Sequence, residues 1–162
     1  MRPIIHESAY VASGAQIVGD VTIGPLVSVW HNAVIRGDED RVVIGPRSNV
    51  QDGCILHEDV GSPLLVGENV TIGHGAIVHG SVIGDNTLIG MGAIILNGAQ
   101  IGRNVLIAAG SLVTQNAVIP EGVMVMGSPA KVKRPLTEEE LDSLKESAQD
   151  YVNLSRKALA DR

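Results

Sequence analysis

Three of the five histidines in this 162-residue chain are candidates for a shared metal site. They are His57, His74 and His79. Imidazole nitrogen is a common zinc ligand, and catalytic zinc usually takes three protein ligands plus water. No compact motif such as HExxH joins the three, so their spacing along the chain is weak evidence by itself. The elements that carry them decide whether they can converge.

A six-residue repeat organises most of the chain. Isoleucine, valine or leucine recurs at intervals of six from Val11 to Val125, with short insertions before Ile44 and Val66 and one step of five before Ile83. A unit of six residues fits one short strand and a corner, and hexapeptide repeats are typical of parallel β-helices. The β-branched side chains suit a narrow interior, and glycine suits a crowded or left-handed corner. The sequence therefore predicts an all-β solenoid of about six coils, with three hexads per coil.

The C-terminal segment has a different pattern. Pro135 ends the repeats, and the stretch from Thr137 to Glu140 is typical of a capping box. Apolar or small residues then recur every three or four positions, as in an amphipathic helix: Leu141, Leu144, Ala148, Tyr151, Ser155 and Ala158. We predict a β-helix domain over residues 1–134 and a helical domain over residues 135–162 that packs on it.

The repeat register places two of the histidines in one column. His57 and His79 each follow an inward aliphatic residue at the same place in consecutive coils. They should stack about 4.8 Å apart, the spacing of neighbouring strands. Arg36 occupies the same column one coil lower.

The third histidine falls on a different face. His74 follows the aliphatic residue of the neighbouring face and lies above Asp52 in that column. One chain therefore cannot easily bring all three imidazoles together. Three prisms packed about a three-fold axis can bring one subunit's second face to the next subunit's third face. The sequence predicts a homotrimer with metal sites at its subunit interfaces.

Composition excludes several kinds of partner. Lysine and arginine total 12 against 18 acidic residues, so the formal net charge of −6 offers no basic excess for nucleic acid. No apolar run approaches the roughly 20 residues of a membrane span. The single cysteine, Cys54, excludes a disulfide framework and indicates a reducing compartment. We expect a cytoplasmic protein that binds neither nucleic acid nor membrane.

Several segments resemble the γ-class carbonic anhydrase family, and the resemblance covers nearly the whole chain. The matching segments are Trp30–Asp38, Ser48–Gly53, Ile72–His74, His79–Gly80, Ile89–Ala93 and Gly127–Lys131. The resemblance implies a left-handed coil and reversible hydration of CO₂ to bicarbonate in a trimer. It also implies that His57 and His79 of one subunit bind the metal with His74 of its neighbour. The implied metal is zinc, with iron or cobalt as alternatives.

The same resemblance assigns roles around the metal. Gln51 is similar to the family residue that hydrogen-bonds the attacking hydroxide, and Asn49 is similar to the residue that orients it. Glu39 matches an acidic position implicated in proton transfer. Tyr151 resembles a tyrosine of the C-terminal helix that reaches the metal pocket, although packing within the helix stripe explains it equally well.

Three further residues are implied at the subunit interface. Arg36 and Asp38 resemble the family's ion pair that links subunits, and Asp52 is expected in the same network. The long acidic loop of the family prototype, which carries a proton-shuttle glutamate, is missing after His57. Glu58 is a possible substitute, and the shorter loop implies slow or absent turnover.

Other functions remain open from the residues alone. A hexapeptide-repeat acyltransferase would use a histidine as general base, but its usual long catalytic loop is missing. A CoA-thioester hydrolase is a further alternative, because the resemblance extends to compact relatives of the family that include such proteins. A third alternative is a non-catalytic trimeric scaffold stapled by metal, which a closed site with four protein ligands would favour.

Overall fold

The described chain, residues 1–161, contains nineteen strands in this computed structural model, and the first eighteen form a left-handed parallel β-helix. A single helix follows the strands. The predicted fold class is therefore confirmed. Arg162, the last residue of the predicted helical domain, lies outside the described residues.

The strands line three faces, and each pairs in parallel with its equivalents one coil away. The first face contains β1 (Ile4–Ile5), the end of β3 (Gln16–Ile23), the end of β5 (Val34–Ile44), β8 (Leu64–Val66), β11 (Val82–Ile83), β14 (Gln100–Ile101) and β17 (Val118–Ile119). The second face contains β2 (Tyr10–Val11), β4 (Ser28–Val29), β6 (Asn49–Val50), β9 (Thr71–Ile72), β12 (Leu88–Ile89), β15 (Leu106–Ile107) and β18 (Val123–Gly127). The third face contains the starts of β3 and β5, β7 (Ile55–His57), β10 (Ile77–His79), β13 (Ile94–Ile95) and β16 (Leu112–Val113).

The core is a stack of aliphatic side chains, one from each strand of every middle coil. These residues occupy the predicted hexad position, and each is almost completely buried: Ile23, Val29, Ile35, Ile44, Val50, Leu56, Val66, Ile72, Val78, Ile83, Ile89, Ile95, Ile101, Ile107 and Val113. Their stiff, branched side chains fill a shaft that is too narrow for phenylalanine, which the sequence lacks.

The coil starts one hexad earlier than the predicted register. Ile4 and Ile5 pair with Thr22 and Ile23, so the described residues form about seven coils. At the corners, the glycines that follow inward aliphatic residues relieve crowding. A Cβ on Gly45, for example, would lie 2.4 Å from a backbone carbonyl oxygen. Left-handed conformations fall instead at other positions, on other glycines and on five asparagines, Leu26 and Arg47.

Two excursions interrupt the regular coil and carry polar residues to the third face. In β5 the pairing with β3 skips residues 38–41, between the strand's two regular parts. The second excursion joins β7 to β8 over residues 58–63, where Asp59 and Ser62 form an isolated bridge. Both coincide with the insertions in the repeat, and they bring the carboxylates of Asp38 and Glu58 next to His57.

The C-terminal segment turns back and lies along the second face. The chain first forms β19 (Ala130–Pro135), antiparallel to β18. The helix α1 (Glu138–Ala160) then begins with the predicted capping box, in which Thr137 and Glu140 exchange hydrogen bonds. It contacts β2, β4, β6 and β9 through Leu144, Ala148 and Val152. No helix among the described residues combines the length and apolar character needed to cross a membrane.

Candidate metal centre

Two imidazole rings face each other on the third face. In the parallel pairing of β10 with β7, His79 lies opposite His57, which confirms the predicted stacking. The ring centroids are 4.9 Å apart and the ring planes are inclined by 70°. His57 Nδ1 lies 2.9 Å from His79 Nε2, so the inward nitrogens of the two rings converge.

The outward nitrogen of each ring contacts a side-chain oxygen. His57 Nε2 lies 2.9 Å from Asp38 Oδ1, and His79 Nδ1 contacts Asn97 Oδ1. Carboxylate and amide oxygens only accept hydrogen bonds, so each ring donates its outward hydrogen. In the neutral rings, the two inward nitrogens then present lone pairs to each other.

This donor set fits a metal ion. Facing lone pairs repel unless a proton or a metal cation lies between them. Two nitrogens bound to one tetrahedral zinc ion, at about 2.0–2.1 Å each, lie about 3.3 Å apart. The observed separation of 2.9 Å therefore has to open by only a few tenths of an ångström. The outward contacts match the carboxylate–histidine–metal arrangement that orients imidazole ligands.

Asp38 is held in place by Arg36. Arg36 Nη1 donates to both carboxylate oxygens of Asp38, at 2.7 and 2.6 Å. The hydrogen bond from Arg36, followed by that from His57, lowers the pKa of Asp38 below its ordinary value. Asp38 is therefore ionised at neutral pH and acts as an acceptor towards His57. The ion pair forms within one chain, and its role in linking subunits stays a prediction.

Glu58 is buried beneath the excursion of β5. Its Oε1 accepts a hydrogen bond from the backbone N–H of Glu39 at 3.1 Å and lies 3.9 Å from His57 Nε2. Its Oε2 has no hydrogen-bond partner among the described residues. The side chain of Glu58 is completely buried, and its role as a substitute for the missing shuttle glutamate stays a prediction. Glu39 is exposed, as proton exchange with water requires, but its catalytic role stays a prediction.

The third histidine lies on the second face, as its column predicts. His74 Nδ1 is 3.0 Å from Asp52 Oδ2, and the other oxygen of Asp52 lies 3.3 Å from His31 Nδ1. The contact with Asp52 engages Nδ1 of His74, so the ring can offer Nε2 as a ligand. The side chain of His74 is about half exposed, which makes it accessible to a second molecule.

Gln51 and Asn49 form a buried chain of hydrogen bonds beside His74. Gln51 Oε1 accepts from the backbone N–H of His74 at 3.2 Å, and Gln51 Nε2 donates to Asn49 Oδ1 at 3.0 Å. Asn49 Nδ2 donates to Thr71 Oγ1, which lies 3.2 Å from Ser147 Oγ on α1. Asn49 thus contacts Gln51 directly and the helix extends the network, while the catalytic roles of both residues stay predictions.

Tyr151 packs among aromatic rings on the second face. Its ring meets Trp30 edge to face at a centroid distance of 5.6 Å, and Trp30 also contacts Tyr10 at 5.1 Å. Burial, followed by the nearby charge of Asp52, raises the pKa of Tyr151. Within the described chain Tyr151 therefore has a packing role, and its approach to a metal stays a prediction.

A single chain does not gather the three histidines. Among residues 1–161, the one group of three potential ligands with donor atoms within 4.8 Å consists of Asp38, His57 and Glu58. His74 is absent from that group because it lies on the neighbouring face. Asp52 contacts histidines of its own face rather than Arg36.

Two residues beside the histidine pair were not predicted from the sequence, Asn97 and Asp59. Asn97 contacts His79 from the next coil, and Asn97 Nδ2 donates to Asp59 Oδ2. The signal for Asn97 was its place just beyond the histidine column, one coil higher. Asp59 gave no such signal, because it lies in an insertion outside the repeat.

Comparison with known proteins supports the repeat architecture. A family model described as bacterial transferase hexapeptide (six repeats) matches residues 2–37 and 80–115. A crystal structure of a hexapeptide transferase family protein from Anaplasma phagocytophilum superposes with a TM-score of 0.93 and 39% identity. That match covers 96% of this chain and 92% of the other.

Two curated relatives have carbonic anhydrase names. A "Probable carbonic anhydrase" of Methanocaldococcus jannaschii is 56% identical over 94% of this chain and 96% of its own length. A "Carbonic anhydrase" of Geobacillus kaustophilus is 49% identical over 93% of this chain and 82% of its own length. Similarity of this extent shows that the chain belongs to the γ-class carbonic anhydrase family.

Proposed function

We propose that this protein catalyses the reversible hydration of CO₂ to bicarbonate, as a homotrimer with one metal site at each subunit interface. The observation that carries the proposal is the pair of imidazole nitrogens 2.9 Å apart. In each ring the outward N–H donates a hydrogen bond to a side-chain oxygen. Relatives with carbonic anhydrase names support the reaction. We propose zinc as the metal, with iron or cobalt as alternatives that imidazole ligands also suit.

Three histidines would hold the metal. His57 and His79 would come from one subunit, and His74 of a neighbouring subunit would provide the third nitrogen. When bound, the metal would acidify a water molecule towards a pKa of about 7 and so supply hydroxide for attack on CO₂. Three protein ligands leave a fourth position open, as catalytic rather than structural zinc requires.

The other residues would orient the reacting groups or transfer protons. Gln51, fixed by Asn49, would orient the attacking oxygen beside His74. Asp38 accepts from His57 and keeps that ring in the ligand orientation. Glu39, exposed at the excursion of β5, would pass the released proton to solvent.

Stopped-flow CO₂ hydration by the zinc, iron and cobalt forms tests the reaction. We expect a metal-dependent rate that His74→Ala reduces to the uncatalysed background, with a matching loss of metal in elemental analysis. His6→Ala is the matched control, because His6 is exposed and contacts Ser8 far from the site. Absence of a rate above background in every metal form rejects the anhydrase proposal.

One observation favours a second candidate. A cavity of about 330 Å³ opens beside Gln51 and His74, with mainly apolar walls that include Leu88, Met91 and Leu106. An apolar cavity with a few polar groups at one end suits an acyl chain. Hydrolysis or transfer of an acyl-CoA by the same metal forms, without CO₂ hydration, would favour this candidate. A metal-loaded trimer inactive towards both substrates would indicate a scaffold.

A further inference from the structure

The loop between β7 and β8 carries a carboxylate that the proposed function does not use. Asp59 accepts a hydrogen bond from Asn97 Nδ2, and Asn97 Oδ1 in turn contacts His79 Nδ1. The loop is the second insertion in the repeat, and the bridge between Asp59 and Ser62 folds it back on itself. The insertion therefore delivers Asp59 to the far side of Asn97 from the histidine.

The direction of these hydrogen bonds follows from the chemistry of the groups. The two ends of the Asn97 amide have nearly the same shape, but one donates and the other accepts. An ionised carboxylate only accepts, so Asp59 selects the orientation in which Nδ2 faces it and Oδ1 faces His79. Oδ1 then requires a hydrogen on Nδ1 of His79.

The opposite orientation of Asn97 would have the opposite effect. Its NH₂ group would donate to Nδ1 of His79, and the neutral ring would carry its hydrogen on Nε2. That hydrogen would point at His57 Nδ1, which lies 2.9 Å away, and would occupy the position of a metal ion. The choice between a metal-binding nitrogen and a blocked one therefore depends on Asp59.

The backbone next to His79 is shaped to admit this network. A Cβ on Gly80 would lie 2.8 Å from Asn97 Oδ1 and 2.7 Å from Ser62 Oγ. Ser62 Oγ donates to the carbonyl oxygen of Gly80 at 2.8 Å. Glycine at this position thus allows both Asn97 and the loop to approach the histidine.

We propose that Asp59 acts through Asn97 as a positioning residue that fixes the tautomer of His79, leaving Nε2 as the ligand nitrogen. The functional significance of this tautomer rests on the proposed metal site. Its structural content applies to the metal-free protein as well, so the two can be tested separately.

Nitrogen NMR of histidine-labelled, metal-free protein tests the tautomer directly. In the wild type we expect the hydrogen of His79 on Nδ1. In Asn97→Ala we expect Nδ1 to lose this hydrogen in part of the molecules. Zinc affinity, measured by competition with a chelator, should fall about 10–100-fold, as for other partners of metal-binding histidines. Asn153→Ala, on the exposed side of α1, is the matched control and should leave both readouts unchanged.

A double variant separates positioning from a merely structural role. Asp59→Asn combined with Asn97→Asp exchanges the donor and the acceptor of the hydrogen bond between positions 59 and 97. A carboxylate oxygen then still accepts from Nδ1 of His79, so the double variant should have about the zinc affinity of the wild type. If Asn97→Ala does not assemble, Asp59→Asn alone gives the comparison, since it preserves side-chain size while removing the orientation of Asn97. It should weaken zinc binding relative to the double variant.

Two outcomes would be decisive in different ways. Wild-type zinc affinity and a hydrogen retained on Nδ1 of His79 in Asn97→Ala would overturn the positioning role. Weaker zinc binding and partial loss of the Nδ1 hydrogen of His79 in Asn97→Ala would support the positioning role. If the wild type also binds zinc but does not hydrate CO₂, the proposed function is rejected while the positioning role stands.

Discussion

Single side-chain oxygens decide which nitrogen each histidine can offer. Asp38, Asn97 and Asp52 each contact one ring nitrogen of a different candidate ligand. A neutral imidazole has one N–H donor and one acceptor nitrogen. When the outward N–H donates to a side-chain oxygen, the other nitrogen is left with a lone pair for a metal ion. The orientation of the candidate ligands therefore exists before a metal arrives.

Replacing Asp38 should weaken metal binding. In Asp38→Asn the amide can present either an oxygen or an NH₂ group to His57, so the ring orientation is no longer enforced. We expect about a 10–100-fold loss of zinc affinity in chelator competition. Asp20→Asn is the control, because Asp20 lines the same cavity as Asp38. Equal affinities for the two variants would contradict the role of Asp38.

The sequence predicted the residues whose position depends on the repeat. His57 and His79 lie opposite each other because the pairing of successive coils follows the six-residue register. Asn97 and Asp59 could not be predicted in the same way. Their hydrogen bonds depend on side-chain rotamers and on the path of an insertion, neither of which the register specifies.

At the scale of elements, α1 is the part of the fold that the repeat does not determine. Its start was predictable because a capping box is a local pattern, and the exchange between Thr137 and Glu140 is present. Its docking site was not predictable, since a narrow apolar stripe fits any flat face. The helix lies along the second face, where Ser147 joins the hydrogen-bond chain that ends at Gln51.

The start of α1 should respond to acid through Glu140. Hydrogen bonding by Arg134, followed by that of the Thr137 backbone, lowers the pKa of Glu140 from 4.5 to about 2. A carboxylate with a lowered folded-state pKa stabilises the fold above pH 4.5, and this contribution disappears as the pH falls towards 2. The stability difference between wild type and Glu140→Gln should therefore be largest near neutral pH and shrink across this window.

Urea unfolding at a series of pH values measures this difference. Glu139→Gln is the control, because Glu139 is exposed in the same helical turn. A difference between wild type and Glu140→Gln that stays constant from pH 6 to about pH 2 would contradict the assignment.

At the scale of the whole molecule, the β-helix places the candidate ligands on two different faces of the coil. The third face carries the paired imidazoles and the second face carries His74, as strand pairing requires. The fold was predictable because nearly every coil repeats the same buried position. The contact between faces of different subunits depends on surface shape, which the repeat register does not specify.

A site shared across subunits makes a prediction about mixtures. His74→Ala retains the His57–His79 pair, and His79→Ala retains His74, so neither variant alone should bind the metal. In a cyclic trimer that contains both variants, one interface in the three joins an intact pair to an intact His74. The remaining two interfaces each lack at least one ligand.

The most direct measurement is the metal content of trimers purified through two different tags after co-expression of His74→Ala and His79→Ala. We expect about one metal ion per mixed trimer, about three per wild-type trimer and none in either variant alone. Mixed trimers as empty as the single variants would contradict a site built from two subunits.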